Sequence, residues 1–175
     1  MFKLDNKKAI VTGGGSGIGK AVCLVFGRAG AHVFVADLNK EAAAATVQEI
    51  ESAGGKATAL PVNVASQEEV LTAYASVGAF DILVNSAGVS HIGKVETTAA
   101  EDFDRVFAVN VKGVYNSLYA SIPLMKENGG GVIVNLASIA SSVGIPDRFA
   151  YSMSKGAVLA MTLSAAKDYV KDNIR

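Results

Sequence analysis

A cluster of glycines behind a short apolar run constrains the fold of this chain more than any other feature. Residues 9–12, Ala-Ile-Val-Thr, are typical of a β-strand, and five glycines lie between Gly13 and Gly19. Apolar residues then recur at helical spacing up to Phe26. Glycines let a backbone approach a pyrophosphate closely, and the helix behind them directs unpaired N–H groups at negative charge. The pattern predicts the strand, loop and helix that open a nucleotide-binding βαβ unit.

The spacing of the glycines distinguishes between kinds of nucleotide-binding loop. The fingerprint G-x-G-x-x-G fails, because Ile18 stands where its last glycine would fall. The phosphate loop of NTPases nearly fits, but Ala21 replaces the hydroxyl residue that binds Mg²⁺, and we expect no metal ion. The pattern T-G-x-x-x-G-I-G, from Thr12 to Gly19, does fit. Alone it is weak, because many turns are rich in glycine.

Composition limits the class of protein. Half of the 175 residues are hydrophobic, which is enough for one domain with a core, and the formal net charge is zero. This balance disfavours binding to nucleic acid or to a membrane surface. No apolar run approaches the roughly 20 residues of a membrane span, and no signal peptide is evident. We therefore expect a cytoplasmic protein, in which the single cysteine, Cys23, is a small buried hydrophobe.

Strand-like and helix-like segments alternate along the chain. Strands are predicted at 9–12, 31–36, 57–62, 80–85 and 132–137, with helices at 40–53, 66–77, 98–128 and 150–172 besides the first. Capping boxes are predicted at Ser66 with Glu69 and at Thr98 with Glu101. The alternation predicts an α/β, doubly wound parallel sheet, a three-layer αβα arrangement of Rossmann type. We interpret residues 1–175 as one dinucleotide-binding domain.

An acidic residue follows the second predicted strand. Asp37 lies 20 residues after Gly17, where a carboxylate can accept hydrogen bonds from the adenosine ribose of NAD. It would repel the additional phosphate of NADP. Asp37 could also cap the next helix, and both roles can coexist. We predict NAD as the cofactor.

A tyrosine and a lysine lie one helical turn apart near the end of the chain. Residues four apart share a helix face, so the Tyr151 phenol and the Lys155 ammonium can occupy one site. A phenol with a pKa near 10 is a poor base at neutral pH, but a nearby cation lowers that pKa. The pair alone could be an ordinary surface pair. Ser138, which follows the fifth predicted strand, makes a catalytic site the stronger interpretation.

Together these motifs resemble, in order and along essentially the whole chain, the motif series of the short-chain dehydrogenase/reductase family. The motifs are 12–19, Asn85 to Gly88, Asn110, Ser138 and Tyr151 with Lys155. The resemblance implies that Tyr151 exchanges a proton with the substrate oxygen and that Ser138 polarises this oxygen. It implies that Lys155 binds the nicotinamide ribose and tunes Tyr151. It implies that Asn110 holds a water molecule that connects Lys155 to solvent; the alternative is a satisfied core asparagine.

The resemblance also implies a set of residues around the cofactor, with Asn63 near the adenine and with Asn85 to Gly88 beside the cofactor in a largely structural role that braces the sheet. Asn63 stands in place of the family's more usual Asp, and Ser86 in place of its second Asn. The predicted cofactor-binding residues are Gly13, Gly15, Ser16, Gly17, Ile18, Gly19, Asp37, Leu38, Asn63, Val64, Asn85, Ala87, Gly88, Tyr151 and Lys155.

Two segments around the expected site are similar to the cytosolic type of 3-hydroxybutyrate dehydrogenase and related sugar-acid dehydrogenases in this family. These are 88–91 and 138–143, together with Arg148. The resemblance implies that Arg148 contributes to an anion-binding pocket, where a guanidinium can pair with a carboxylate. A solvated loop arginine is the alternative. His91 is a second candidate substrate-binding residue.

The chain ends at Arg175, before the sixth strand, the substrate-covering segment and the seventh strand of the family. We expect the domain to be incomplete at its C-terminus. The predicted function is an NAD-dependent oxidoreductase that interconverts a secondary alcohol or hydroxy acid and its ketone. The alternative, for a truly truncated chain, is a catalytically inactive dinucleotide-binding or scaffold protein. The resemblance also implies a homo-oligomer, a dimer or tetramer, through helices 98–128 and 150–172. The apolar residues that would face outward there are Tyr119, Val158, Met161 and Leu163, although the core of a monomer could also use them.

Overall fold

A parallel sheet forms the centre of the structure, a computed structural model that describes residues 3–175. Over that range the sheet has five strands: β1 (Lys8–Thr12), β2 (His32–Asp37), β3 (Lys56–Pro61), β4 (Ile82–Asn85) and β5 (Val132–Asn135). Their order is β3-β2-β1-β4-β5, and every neighbouring pair is parallel. The strand order therefore reverses between β1 and β4. The predicted α/β, doubly wound fold is confirmed.

Helices cover the sheet on two sides. The helices are α1 (Gly17–Arg28), α2 (Lys40–Ser52), α3 (Gln67–Val77), α4 (Ala100–Phe107), α5 (Gly113–Glu127) and α6 (Phe149–Asp168), and a π-helical segment at Ala108–Lys112 joins α4 to α5. Along β1, Ile10 packs in the core beneath α3 and α5, whereas Val11 packs in the core with Cys23 of α1. Since successive side chains of a strand point to opposite faces, both faces of β1 are buried. Cys23 is fully buried, as predicted.

The two predicted capping boxes have different outcomes. The Ser66 hydroxyl accepts a hydrogen bond from the Glu69 N–H at 3.4 Å and caps α3, while the Glu69 carboxylate accepts from the Asn63 N–H. The prediction at Thr98 is wrong, because α4 begins at Ala100 and the Thr98 hydroxyl donates to the Lys94 carbonyl at 2.7 Å. A local hydrogen bond to the preceding 3₁₀ turn has replaced the cap.

Within residues 3–175, helices cover only one face of β5. Ile133 packs against the core beneath α5, whereas Val134 on the opposite face is 45% exposed. The helices on that opposite face lie over β1 to β4, where Val11, Val35 and Val84 pack together. Next to β5, the Ile133 N–H donates to the Arg175 carbonyl at 2.8 Å.

Candidate active site

The loops that follow β1 and β4 are held together by one hydroxyl. Thr12 Oγ1 accepts hydrogen bonds from the N–H groups of Ser86 and Ala87, both at 3.1 Å. Gly13 lies against the same loop with a φ of +66°, and a Cβ atom there would lie 2.9 Å from the Cα of Ala87. The approach of the two backbones therefore requires glycine at position 13.

The carboxylate of Asp37 orders the glycine loop. Its Oδ2 accepts from the Gly15 N–H at 2.8 Å and its Oδ1 accepts from the Asn39 N–H at 2.9 Å. The cap of α2 is Asn39, whose Oδ1 accepts from the Ala42 N–H, so the alternative role of Asp37 as a helix cap is not needed. A carboxylate has about four acceptor positions, and two of them remain for other donors.

Two predicted adenine-side residues lie on the loop after β3. Asn63 Oδ1 accepts from the Ala65 N–H at 3.0 Å. Val64 packs against Gly113, and its carbonyl accepts from Asn116 Nδ2 at 2.8 Å. The motifs did not single out Asn116. The only signal for Asn116 in the sequence is that an amide side chain stands among the apolar residues of a helix, and a buried amide needs hydrogen-bond partners.

A groove of about 350 Å³ opens at the carboxyl ends of β1, β4 and β5. It joins the glycine loop to α6, and Tyr151 and Lys155 line it together. Its lining residues are Gly13, Ser16, Gly17, Ile18, Gly19, Ser86, Ala87, Gly88, Val89, Ser90, Leu136, Ala137, Tyr151 and Lys155. The remaining predicted cofactor residues lie outside this groove: Gly15, Asp37, Leu38, Asn63, Val64 and Asn85.

The start of α1 faces this groove with free backbone donors. Gly17 and Gly19 line the groove in the first turn of the helix, which carries no acidic residue. The Ser16 side chain makes no capping hydrogen bond to the helix. Unpaired N–H groups and the positive end of the helix dipole make this turn suited to a phosphate group.

Asn85 connects the sheet to α6 instead of lining the groove. Its Nδ2 donates to Asn135 Oδ1 at 2.8 Å, and Asn135 Nδ2 donates to Thr162 Oγ1 at 2.9 Å. Asn85 is buried. The contacts give it a bracing role behind the site.

The ammonium group of Lys155 is held in the groove by the loop after β5. Its Nζ donates to the Leu136 carbonyl at 2.6 Å and lies 5.8 Å from the centre of the Tyr151 ring. The residue is 8% exposed, and burial lowers the pKa of Lys155 below its ordinary value of 10.5. Phenol and ammonium therefore share one site, as their spacing predicts.

Ser138 is the N-cap residue of a short 3₁₀ helix, Ile139–Ser141, and directly follows Ala137, which lines the groove. Its Oγ accepts from the Ala140 N–H at 3.1 Å. Since the hydroxyl acts as an acceptor toward its own loop, its proton is free to be donated to a ligand.

Asn110 lies in the π-helical segment and is 1% exposed. Its Oδ1 accepts from the Val89 N–H at 2.8 Å, and its Nδ2 donates to the Val89 carbonyl and to Ser154 Oγ, both at 2.9 Å. Both amide hydrogens are thus used in joining the loop after β4 to α6. The amide itself is a satisfied core asparagine, in a π-turn of a kind that is frequent at functional sites.

Arg148 and His91 lie outside the groove that Tyr151 and Lys155 line, on segments that pair with each other. The Gly93 N–H donates to the Asp147 carbonyl at 3.0 Å and the Phe149 N–H donates to the Gly93 carbonyl at 3.1 Å. Among residues 3–175, three buried atoms here have no hydrogen-bond partner: Arg148 Nη1, His91 Nε2 and Ser152 Oγ. Arg148 and Ser152 line a second groove of about 420 Å³, while His91 Nδ1 lies 3.5 Å from Asp102 Oδ1.

The described residues contain no group of three or more His, Cys, Asp or Glu side chains placed to hold a metal ion. None of the helices in 3–175 combines the length and the apolar character that crossing a bilayer requires.

Known proteins resemble this chain in both sequence and structure. A family model described as short chain dehydrogenase matches residues 7–175. An uncharacterized oxidoreductase of Thermotoga maritima is 44% identical in an alignment of 176 positions that covers 99% of this chain and 70% of that protein. A cyclohexanol dehydrogenase of Acinetobacter sp. is 38% identical in an alignment of 178 positions that covers 99% of this chain and 71% of that protein. A solved 7α-hydroxysteroid dehydrogenase, complexed with NADH and 7-oxo glycochenodeoxycholic acid, has a TM-score of 0.93 and 36% identity, covering 99% of this chain and 69% of that one.

Proposed function

The chain belongs to the short-chain dehydrogenase family of oxidoreductases, and on this premise we propose that it is an NAD-dependent dehydrogenase of secondary alcohols or hydroxy acids. The observation that carries the proposal is the groove that Tyr151 and Lys155 share with the glycine loop. NAD⁺, when bound, supplies the nicotinamide carbon C4 that accepts a hydride from the alcohol carbon.

The residues present suit a dinucleotide along its whole length. Glycine at position 13 lets the loops after β1 and β4 meet beside the groove, and the first turn of α1 offers N–H groups to a pyrophosphate. Lys155 offers a buried ammonium to ribose hydroxyls, and Asp37 offers acceptors to the second ribose. Ile18 and Leu38, both largely exposed, provide apolar surface for flat rings.

Tyr151 is the proposed general acid/base. As a phenolate it takes the proton of the alcohol while the C–H bond breaks, and in the reverse direction the phenol returns this proton to the ketone oxygen. The adjacent Lys155 ammonium stabilises the phenolate. Ser138, whose hydroxyl proton is free, donates a hydrogen bond to the same substrate oxygen and stabilises the negative charge that develops there.

We propose that Asn110 acts mainly by holding other residues of the site in place. It ties the Val89 backbone to Ser154 of α6, which keeps the two walls of the groove together. The water relay implied by the family resemblance remains a proposal, and such a water would need partners other than the two amide hydrogens of Asn110.

The carboxylate of Asp37 supports a preference for NAD over NADP. It already holds the Gly15 N–H, so it cannot turn away from an incoming phosphate without loosening the glycine loop. A phosphate close to this fixed negative charge would be repelled.

A carboxylate on the substrate is proposed because of Arg148. Its Nη1 atom is buried and lacks a partner among the described residues, which is costly for a charged donor. A substrate carboxylate would supply the missing acceptor. His91, with a second buried and unpartnered nitrogen, is a further candidate for substrate contact.

We further propose a cytoplasmic homo-oligomer. Tyr119 and Leu163 are exposed on α5 and α6, which suits contact with a second copy. Two residues expected to face outward behave otherwise: Val158 is fully buried between α5 and α6, and Met161 packs against the same cluster. Dimer and tetramer are both compatible with this surface.

The test is the formation of NADH when the purified protein is mixed with NAD⁺ and a panel of cyclic secondary alcohols, 3-hydroxy acids and sugar alcohols. We expect turnover with at least one class, faster with NAD⁺ than with NADP⁺, and little turnover in Tyr151→Phe. Binding of NAD⁺ without turnover in any class would favour the inactive dinucleotide-binding alternative.

A further inference from the structure

Ser141 connects the loop that carries Ser138 to the helix that carries Tyr151 and Lys155. The Ser138 N–H donates to Ser141 Oγ at 3.2 Å, and Ser141 Oγ donates to the Lys155 carbonyl at 2.9 Å. We refer to these two hydrogen bonds as the Ser141 bridge. The side chain is half-buried between the 3₁₀ turn and α6.

The bridge lies where the proposed chemistry needs rigidity. Ser138 and Tyr151 come from different elements, yet both hydroxyls must reach one substrate oxygen. The loop after β5 is joined to Lys155 at two points: Lys155 Nζ donates to the Leu136 carbonyl, and Ser141 Oγ donates to the Lys155 carbonyl. Lys155 is thus held by one loop at both its side chain and its backbone.

Hydrogen bonds within the loop also hold the Ser138 side chain and leave its hydroxyl proton unused. Ser141 Oγ accepts the Ser138 N–H, while Ser138 Oγ accepts the Ala140 N–H at 3.1 Å. The two bonds fix the backbone and the acceptor side of Ser138, so its proton is left for the substrate. The neighbouring Ser142 differs, because it is exposed and its hydroxyl makes only a 3.5 Å contact with the Ile139 carbonyl.

We propose that Ser141 is a positioning residue that holds the Ser138 hydroxyl in register with the Tyr151 phenol. The inference rests on the proposed function, because it assigns Ser141 a role through the proposed catalytic serine. Small displacements of a reacting group reduce turnover strongly, while contacts that only bind the cofactor are unaffected. Ser141 does not line the cofactor groove, and Lys155 Nζ keeps its own hydrogen bond to the Leu136 carbonyl, so the loss of Ser141 should reduce kcat and leave the affinity for NAD⁺ within two-fold of wild type.

The experiment compares Ser141→Ala with the matched variant Ser142→Ala, using NAD⁺ and whichever of cyclohexanol or 3-hydroxybutyrate the wild type oxidises faster. We expect kcat to fall about ten-fold in Ser141→Ala, with the Kd for NAD⁺ within two-fold of wild type. Ser142→Ala should match wild type. Ser141→Thr, which keeps the hydroxyl, should recover most of kcat.

Two further measurements separate positioning from simple loss of stability. If Ser141 acts through Ser138, the double variant Ser138→Ala/Ser141→Ala should be no slower than Ser138→Ala alone. Hydrogen–deuterium exchange of the peptide that contains residues 138–141 should be faster in Ser141→Ala than in Ser142→Ala, and this readout does not depend on activity.

The outcomes distinguish this inference from the proposed function. Equal kcat in Ser141→Ala and Ser142→Ala, with Ser138→Ala strongly impaired, would overturn the inference alone. Additive losses in the double variant, or unchanged exchange at 138–141, would also overturn it. Full turnover in Ser138→Ala, or no oxidation of either alcohol by the wild type, would count against the proposed function, and the exchange measurement would still decide whether the bridge exists.

Discussion

The two ends of the site differ in how their polar groups are satisfied. On the adenosine side, in the loops after β1 and β2, Asp37 uses both carboxylate oxygens and Asn39 caps α2. On the substrate side, in segments 88–98 and 138–152, buried atoms of His91, Arg148 and Ser152 have no partner within residues 3–175. On the adenosine side Asn116 Oδ1 is also buried without a partner among the described residues, although its Nδ2 donates to the Val64 carbonyl. The loops after β1 and β2 are nevertheless organised for a ligand. The substrate side has three such atoms, one of them on a charged side chain, and we therefore expect specificity to be set there.

The largest effect on turnover is expected from Tyr151, a residue of the substrate side that lines one groove together with the glycine loop. Tyr151→Phe removes the proposed proton carrier and should lower kcat by about 10³-fold, the usual scale for general acid–base catalysis. NADH formation measures this, with NAD⁺ binding expected to stay near the wild-type value. Tyr115→Phe, an exposed tyrosine outside the groove, is the control. Turnover that survives Tyr151→Phe would remove the phenol from the mechanism.

The next largest effect is expected on the stability of the fold, from a substitution that tests whether the loops after β1 and β4 must stay in close contact. Gly13→Ala combines a φ of +66° with a Cβ 2.9 Å from the Cα of Ala87, and should destabilise the fold by about 3 kcal/mol. Gly54→Ala is the matched control, because its φ is +81° but open space surrounds the new Cβ. It should cost about 1 kcal/mol. Denaturant unfolding measures both, and equal losses would show that the two loops can separate without cost.

Arg148→Ala tests the unmet hydrogen bonds of the substrate side. A charge-assisted contact contributes about 2 kcal/mol, so KM for a hydroxy acid should rise about 30-fold. KM for a neutral secondary alcohol should change little, because it has no carboxylate to lose. Arg28→Ala, at an exposed arginine of α1 whose side chain donates to the Leu24 carbonyl, is the control variant. A similar rise in KM for hydroxy acids and for neutral alcohols would rule out Arg148 as the group that binds the substrate carboxylate.

The smallest effect concerns Cys23, which packs beneath the glycine loop. Burial raises the pKa of Cys23 from 9.0 to about 12. The unfolded chain therefore loses this proton first as pH rises, and stability should fall above pH 9 by up to about 1.4 kcal/mol per pH unit. Cys23→Ala should have a shallower alkaline slope between pH 8 and 10 in denaturant unfolding. Identical slopes would mean that water reaches the thiol on the adenosine side.

The sequence predicts the adenosine side better than the substrate side, for a physical reason. Glycine spacing, the position of Asp37 and the period of the strands act within short stretches of chain, so they can be recognised locally. The pairing of Tyr151 with Lys155 is also local, since both lie on one helix face. Each of these features places a residue without knowledge of its distant neighbours.

The features that could not be predicted depend on contacts between distant segments. The π-turn at Asn110 does not interrupt the apolar pattern of the helix, and the role of Ser141 depends on where α6 passes the loop after β5. The partner of Thr98 is a carbonyl of a 3₁₀ turn that the pattern did not show. Likewise, an apolar β5 does not reveal that Val134 faces solvent.

The most direct test of the central claim is a crystal structure of the protein with NAD⁺ bound. We predict the pyrophosphate at the first turn of α1, the adenosine ribose on Asp37, and the nicotinamide ring beside Tyr151, Lys155 and Ser138. A dinucleotide bound elsewhere, or a nicotinamide ring remote from the Tyr151 phenol, would contradict it.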